Sequence, residues 1–135
     1  MALPNGAGGY QVGDGNLNEV LLGYEATPQT ATATATLTTD QIVGGLLVAN
    51  PSSTAAVYTL PTAALIDGTV TSAKVGSTFD LSIVNIGTGS GTVTLAAGTG
   101  ITDGGNALVA VAVTSSALFR FRKTGDAAWT VYKVA

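Results

Sequence analysis

The sequence predicts an all-β protein: a β-sandwich or jelly-roll-like fold, or a small β-barrel, with an extended N-terminal arm and at most one short helix. Three observations predict it. Apolar residues alternate with polar or small ones in several short runs, the period that puts one face of a strand in a core. Gly-rich connectors separate these runs at spacings near ten residues, giving seven to nine strands. No run has the length and 3.6-residue period of a crossover helix.

The elements follow in order. Residues 1–28 form the arm and residues 29–135 the β domain. The arm holds Asn5-Gly6-Ala7-Gly8-Gly9 and Gly13-Asp14-Gly15-Asn16, which favour turns. Yet Tyr10, Val12, Leu17, Val20, Leu21, Leu22 and Tyr24 make it too apolar for an idle tail. Thr30 to Leu37 alternates Thr with Ala, which predicts one strand with a threonine face and a small face. Thr39-Asp40-Gln41 reads as a turn or a single helical turn, and Thr62 as the cap of a short helix over Ala63 to Ile66 ended by Gly68. Strands are expected at Leu46–Ala49, halted by Pro51, and at Val57–Leu60, halted by Pro61.

In the second half, Phe79, Leu81 and Ile83 alternate with Asp80 and Ser82, and Val93 and Leu95 with threonines. Val109, Val111 and Val113 alternate with alanines, and Phe119 and Phe121 with Arg120 and Arg122. Trp129 to Val134 is the last strand, joined to its predecessor by a hairpin turn at Lys123-Thr124-Gly125-Asp126.

Composition narrows the function. Hydrophobic residues make up 46% and charged residues only 10%, so a core is available while the surface is polar but weakly charged. Such a surface is cheap to desolvate and suits a large assembly. A net charge of −3 argues against a nucleic-acid partner bound through its phosphates. The chain has no Cys and no His, so the strongest nucleophile and the commonest general base are missing. No spacing brings two carboxylates together for glycoside hydrolysis. The expectation is a non-enzyme without cofactor.

Two motifs invite other chemistry. Asp14, Asn16, Asn18 and Glu25 match ligand positions of a calcium loop, but Glu19 stands where that loop needs glycine, and flanking helices are not expected. Gly87-Thr88-Gly89-Ser90-Gly91 leads into a strand rather than a helix, so it reads as a turn and not a phosphate cradle. The longest apolar stretch, Ala107 to Val113, is far short of a membrane helix, and the first residues lack a signal-peptide pattern.

Charge is unevenly spread. Residues 1–116 carry Lys74 against seven acids, a net of −6, while residues 117–135 carry four bases against Asp126, a net of +3. Arg120 and Arg122 share one strand face opposite Phe119 and Phe121. They either guard an edge or meet an acidic partner.

Gly8-Gly9-Tyr10-Gln11-Val12-Gly13-Asp14-Gly15-Asn16-Leu17-Asn18-Glu19, the strand end Tyr58-Thr59-Leu60-Pro61, and Phe119-Arg120-Phe121-Arg122 with Trp129-Thr130-Val131-Tyr132 resemble small virion proteins of tailed phages. Among these the chain is most similar to capsid decoration, or cement, proteins, particularly of phages infecting aquatic bacteria. The resemblance implies a β-rich body, often a homotrimer, on the capsid outer surface of a virion assembled in the host cytoplasm. It implies contacts to the major capsid protein, and none to DNA or membrane. The family supplies no fixed set of functional residues. Those expected at capsid or subunit contacts are therefore read from this chain: Tyr10, Val12, Leu17 and Leu21 in the arm, Arg120 and Arg122 in the hairpin. The rival expectation is a phage appendage or fibre-tip module that binds a host receptor. Aromatics falling inside strand patterns and the lack of long repeats weigh against it.

Overall fold

Alternation becomes strand wherever one face finds a core. The computed structural model describes residues 22–135, so Tyr10, Val12, Leu17 and Leu21 lie outside the described residues. The strands are β1 (Gln29–Ala31), β2 (Ala35–Thr36), β3 (Leu46–Ala49), β4 (Ala56–Thr59), β5 (Thr78–Asn85), β6 (Val93–Ala96), β7 (Ile101–Gly105), β8 (Ser115–Gly125) and β9 (Ala128–Lys133). Two short helices, α1 (Thr39–Val43) and α2 (Ala63–Thr69), correct the expectation of at most one. Local capping explains both. Thr38 and Gln41 form a reciprocal capping box on α1, and the Thr62 hydroxyl accepts from Leu65 N at 3.3 Å on α2. Each helix then buries an isoleucine, Ile42 or Ile66.

The chain passes back and forth between two sheets. β1, β3 and β5 run parallel within a six-stranded sheet of order β1-β3-β5-β8-β9-β7. β2, β4 and β6 run parallel in a three-stranded sheet of order β2-β4-β6. Each step β1 to β2, β3 to β4 and β5 to β6 is thus one coil of a solenoid-like winding. β8 then pairs antiparallel with β5, β9 antiparallel with β8, and β7 lies parallel to β9. The protein is predominantly β with mixed sheets, and among the described residues the antiparallel order of a jelly roll is not seen. Alternation fixes which face of a strand is buried but not the direction of its neighbour.

Two expected strands change form. The Thr/Ala run is not one strand; it bends at Thr32–Thr34 and enters both sheets as β1 and β2. The corner is held by the Tyr58 hydroxyl, which donates to Thr32 O at 2.6 Å, and by Val57 N, which donates to Thr34 Oγ1 at 3.0 Å. The valine run at Val109–Val113 makes a single bridge, Val111 to Val93, instead of a strand. Its ends lie at Asn106 and Thr114, both with positive φ, which turns the chain too sharply for a ladder. Conversely, Asp103-Gly104-Gly105, one of the Gly-rich stretches between the alternating runs, belongs to β7.

One cluster of buried residues fills the space between the sheets, with Trp129, Tyr58, Phe119 and Phe121 as its largest members. Phe79 stacks on Phe121 at 4.8 Å between centroids and meets Trp129 edge-on at 5.3 Å. Asn85 is the one buried polar side chain among the described residues. Its Nδ2 donates to the carbonyls of Gly91, Val111 and Ala112 at 2.9, 3.1 and 3.1 Å, and its Oδ1 accepts from Gly87 N at 2.8 Å. It therefore ties the end of β5 to the loop before β6 and to the segment between β7 and β8, and no polar atom of its amide is orphaned. Gly91 must be glycine for a related reason: a Cβ there would lie 2.1 Å from Ser52 O.

Candidate functional site

The sheet register decides where the two arginines stand. On β8, Phe119 and Phe121 are buried while Arg120 and Arg122 are exposed, so the arginines point away from the core. On this outer face Arg120 lies between Asp80 of β5 and Tyr132 of β9, and Arg122 between Thr78 and Thr130. Arg120 is already engaged. Its Nε and Nη2 donate to Asp80 Oδ1 and Oδ2 at 2.8 and 3.0 Å, the two-pronged geometry of a guanidinium on a carboxylate. The pair raises the Arg120 pKa and lowers that of Asp80. Both side chains remain open to water, at 49% and 41% exposure, so the pair orients more than it stabilises.

Lys123, another base of the cationic C-terminal segment, is also engaged. Its Nζ bonds to Asp67 at the end of α2, which also accepts from Trp129 Nε1 and Ala127 N. Among the described residues, Arg122 has no ion pair. Two of the four bases of this segment are thus engaged, and Arg122 is the unpaired guanidinium on the outer face.

Around it the outer face grades from polar to apolar. Leu46 and Val48 on β3, Val84 on β5 and Leu118 on β8 alternate with the buried positions Leu47, Ala49, Ile83 and Phe119, so their side chains face outward, half-buried. An open hollow of about 470 Å³, lined by Val84, Ile86, Thr114 and Ser116, adjoins the apolar end. A half-apolar centre with an arginine at its rim has the composition of a protein-binding surface.

The described part of the arm leaves two apolar side chains in water. Leu22 is 90% and Tyr24 94% exposed, although both are apolar. Glu25 is exposed; Asp14, Asn16 and Asn18, its partners in the calcium-loop pattern, lie outside the described residues. Among the described residues no group of three or more metal-ligating side chains comes together, and no helix is long and apolar enough to cross a membrane.

Alternation alone located Arg120 and Arg122 on one face. It did not locate Asp80 as the partner of Arg120, because that pairing depends on which strand lies next to β8. Asp67 carried no local signal; only the packing of α2 against the hairpin brings it to Trp129.

Comparison with known protein families, curated proteins and solved structures finds no match to this chain.

Proposed function

We propose that the protein is a structural virion protein that binds the outside of a tailed-phage capsid and stabilises contacts between major capsid protein subunits. The observation that carries this reading is surplus apolar contact surface on the outside of the β body. The outer sheet face offers Leu46, Val48, Val84 and Leu118, with the Arg120–Asp80 pair beside Leu118 and Arg122 two residues further along β8, and the linker exposes Leu22 and Tyr24. The resemblance of the opening and closing sequence segments to capsid decoration proteins supports the same reading. So does the burial of Trp129, Phe119, Phe121 and Tyr58, which leaves these rings unable to stack on a receptor glycan.

In this reading the two sheets serve as a rigid, sandwich-like body, and residues 1–28 and the Arg122 face supply the contacts. Attachment as a homo-oligomer, most simply a trimer, lets several weak contacts bind tightly by avidity. The test is the protein's stoichiometry in purified particles. Copies in proportion to the major capsid protein are expected; copies in proportion to a tail component would instead assign it to an appendage.

A further inference from the structure

The two ends of the winding differ. At one, the β8–β9 hairpin covers β5 in the larger sheet, and Val111 bridges to Val93 of β6 in the smaller one. At the other, β1 and β2 are the edge strands of both sheets at once. Ala31 O accepts from Asn50 N at 2.8 Å and Leu37 N donates to Thr59 O at 2.8 Å, so these residues face inward along the ladders. By strand alternation Thr30 and Thr36 turn their main-chain groups outward. Among the described residues, the amide of Gln41, 2.7 Å from Thr30 O, is the one side chain that reaches these groups. Gln29 to Leu37 contains no charge and no proline, so two of the usual guards against strand addition are missing. A solenoid end of this kind requires a cap.

The residues that can supply one are those preceding Leu22. They carry Tyr10, Val12, Leu17, Val20 and Leu21 and only two charges, Asp14 and Glu19. The seven residues from Leu22 to Pro28 join them directly to β1. A segment returning to its own β1 would have to turn within those seven residues and lay Leu22 and Tyr24 against the edge. Both side chains instead stand in water, at 90% and 94% exposure. We infer that the open coil formed by β1 and β2 receives residues 1–21 of a neighbouring copy of this chain. The copies then assemble by exchanging arms, head to tail, in a ring that closes. An extended segment laid on Thr36 and on the N–H of Thr30 gains main-chain hydrogen bonds, and the small alanines beside them allow close approach. This deepens the reading of the arm as a contact device by giving it a sister subunit as partner.

The chain has no cysteine, so engineered thiols report the contact cleanly. Val20→Cys and, separately, Leu17→Cys are mixed with a size-tagged Thr36→Cys chain and oxidised; each arm substitution is also combined with Thr36→Cys in one chain. The mixtures should give a tagged-to-untagged disulfide dimer, and the double variants linked dimers and trimers. A chain starting at Leu22 should dissociate at a concentration at least about tenfold higher than the full chain. Double variants that close on themselves as monomers, or absence of any link at both arm positions, overturn the inference. So does a Leu22-start chain that sediments like the full protein. All of these measurements use the isolated protein, so their failure leaves capsid attachment to the separate test of particle stoichiometry.

Discussion

The indole N–H of Trp129 donates to Asp67 Oδ1 at 2.8 Å, joining the most deeply packed ring of β9 to the end of α2, sixty-two residues earlier. The same carboxylate takes Lys123 Nζ and, through Oδ2, the amide of Ala127 at 2.8 Å. One side chain therefore holds the helix, the hairpin turn and the ring together. The hydrogen bond from Lys123 is the main cause that lowers the Asp67 pKa, with those from Trp129 and Ala127 adding to it against the opposing effect of burial.

Asp67→Ala leaves the Trp129 N–H buried without a partner, at a cost of about 1–3 kcal/mol, readable in urea unfolding at neutral pH. The pH dependence has a definite sign. A carboxylate with a lowered folded pKa stabilises fully above its ordinary value of about 3.9, and that contribution is lost as pH falls through it toward the folded pKa. Asp67→Asn keeps an acceptor but not the titration. Its stability should fall less steeply than the wild type's in that acid window, and parallel profiles would refute the assignment.

The hairpin turn falls at Asp126–Ala127, between β8 and β9, rather than at Lys123–Asp126, and Ala127 adopts φ of 49°. A left-handed alanine is strained by roughly 1–2 kcal/mol. Ala127→Gly should relieve it, less the entropy a glycine loses on folding. The net gain should be about 0.5–1 kcal/mol, measurable as a raised melting temperature.

Asn85→Asp probes the buried amide. An aspartate there would face the carbonyls of Gly91, Val111 and Ala112 with no hydrogen to give them. At pH 7 the variant should lose at least about 2 kcal/mol. Burial among acceptors favours the protonated acid, so its folded pKa is raised. The deficit should therefore shrink as pH falls from 7 toward 5, the opposite of the Asp67 dependence. Equal deficits at both values would mean that the loop carbonyls have moved away.

These interactions mark the limit of what the sequence reveals. Period-two patterning was enough to bury Leu81, Ile83, Phe119 and Phe121 on the correct faces, because burial of a strand face depends on its own residues. The coil-by-coil parallel pairing was not legible. Whether β3 meets β5 or a hairpin partner depends on a return path of dozens of residues, including a helix, that no local pattern encodes. The Thr/Ala run shows the same limit: its alternation is intact, yet the Tyr58 hydroxyl on Thr32 O bends it into two sheets. Of the expected contact residues, Arg120 and Arg122 share a face as read, but only the neighbouring strand shows that Asp80 already occupies Arg120.

The two arginines should therefore separate on mutation. Arg120→Ala frees an exposed carboxylate and should change capsid binding little. Arg122→Ala removes the unpaired guanidinium and should weaken binding to undecorated capsids while leaving the melt unchanged. The wild-type advantage should also fade with salt, since exposed charges are screened over about 10 Å at 0.1 M. Equal effects of both substitutions would place the contact elsewhere.

A chain starting at Gln29 tests whether arm and body are energetically separate. The buried cluster begins at Leu37, and β1 retains its ladder to β3 without any residue before Gln29. Leu22 and Tyr24 contribute almost no burial, so their removal forfeits little hydrophobic stabilisation. The comparison must be made at a concentration where the full chain is dissociated, because assembly would otherwise raise its apparent stability by mass action. Under that condition the two melts should agree within ~1 kcal/mol, a shift of about 4 °C for a domain of this size. Pull-down on undecorated capsids should meanwhile be lost. A truncated chain that fails to fold would make residues 1–28 part of the core; one that binds capsids normally would move attachment to the body, with the Arg122 face as the surface to examine next.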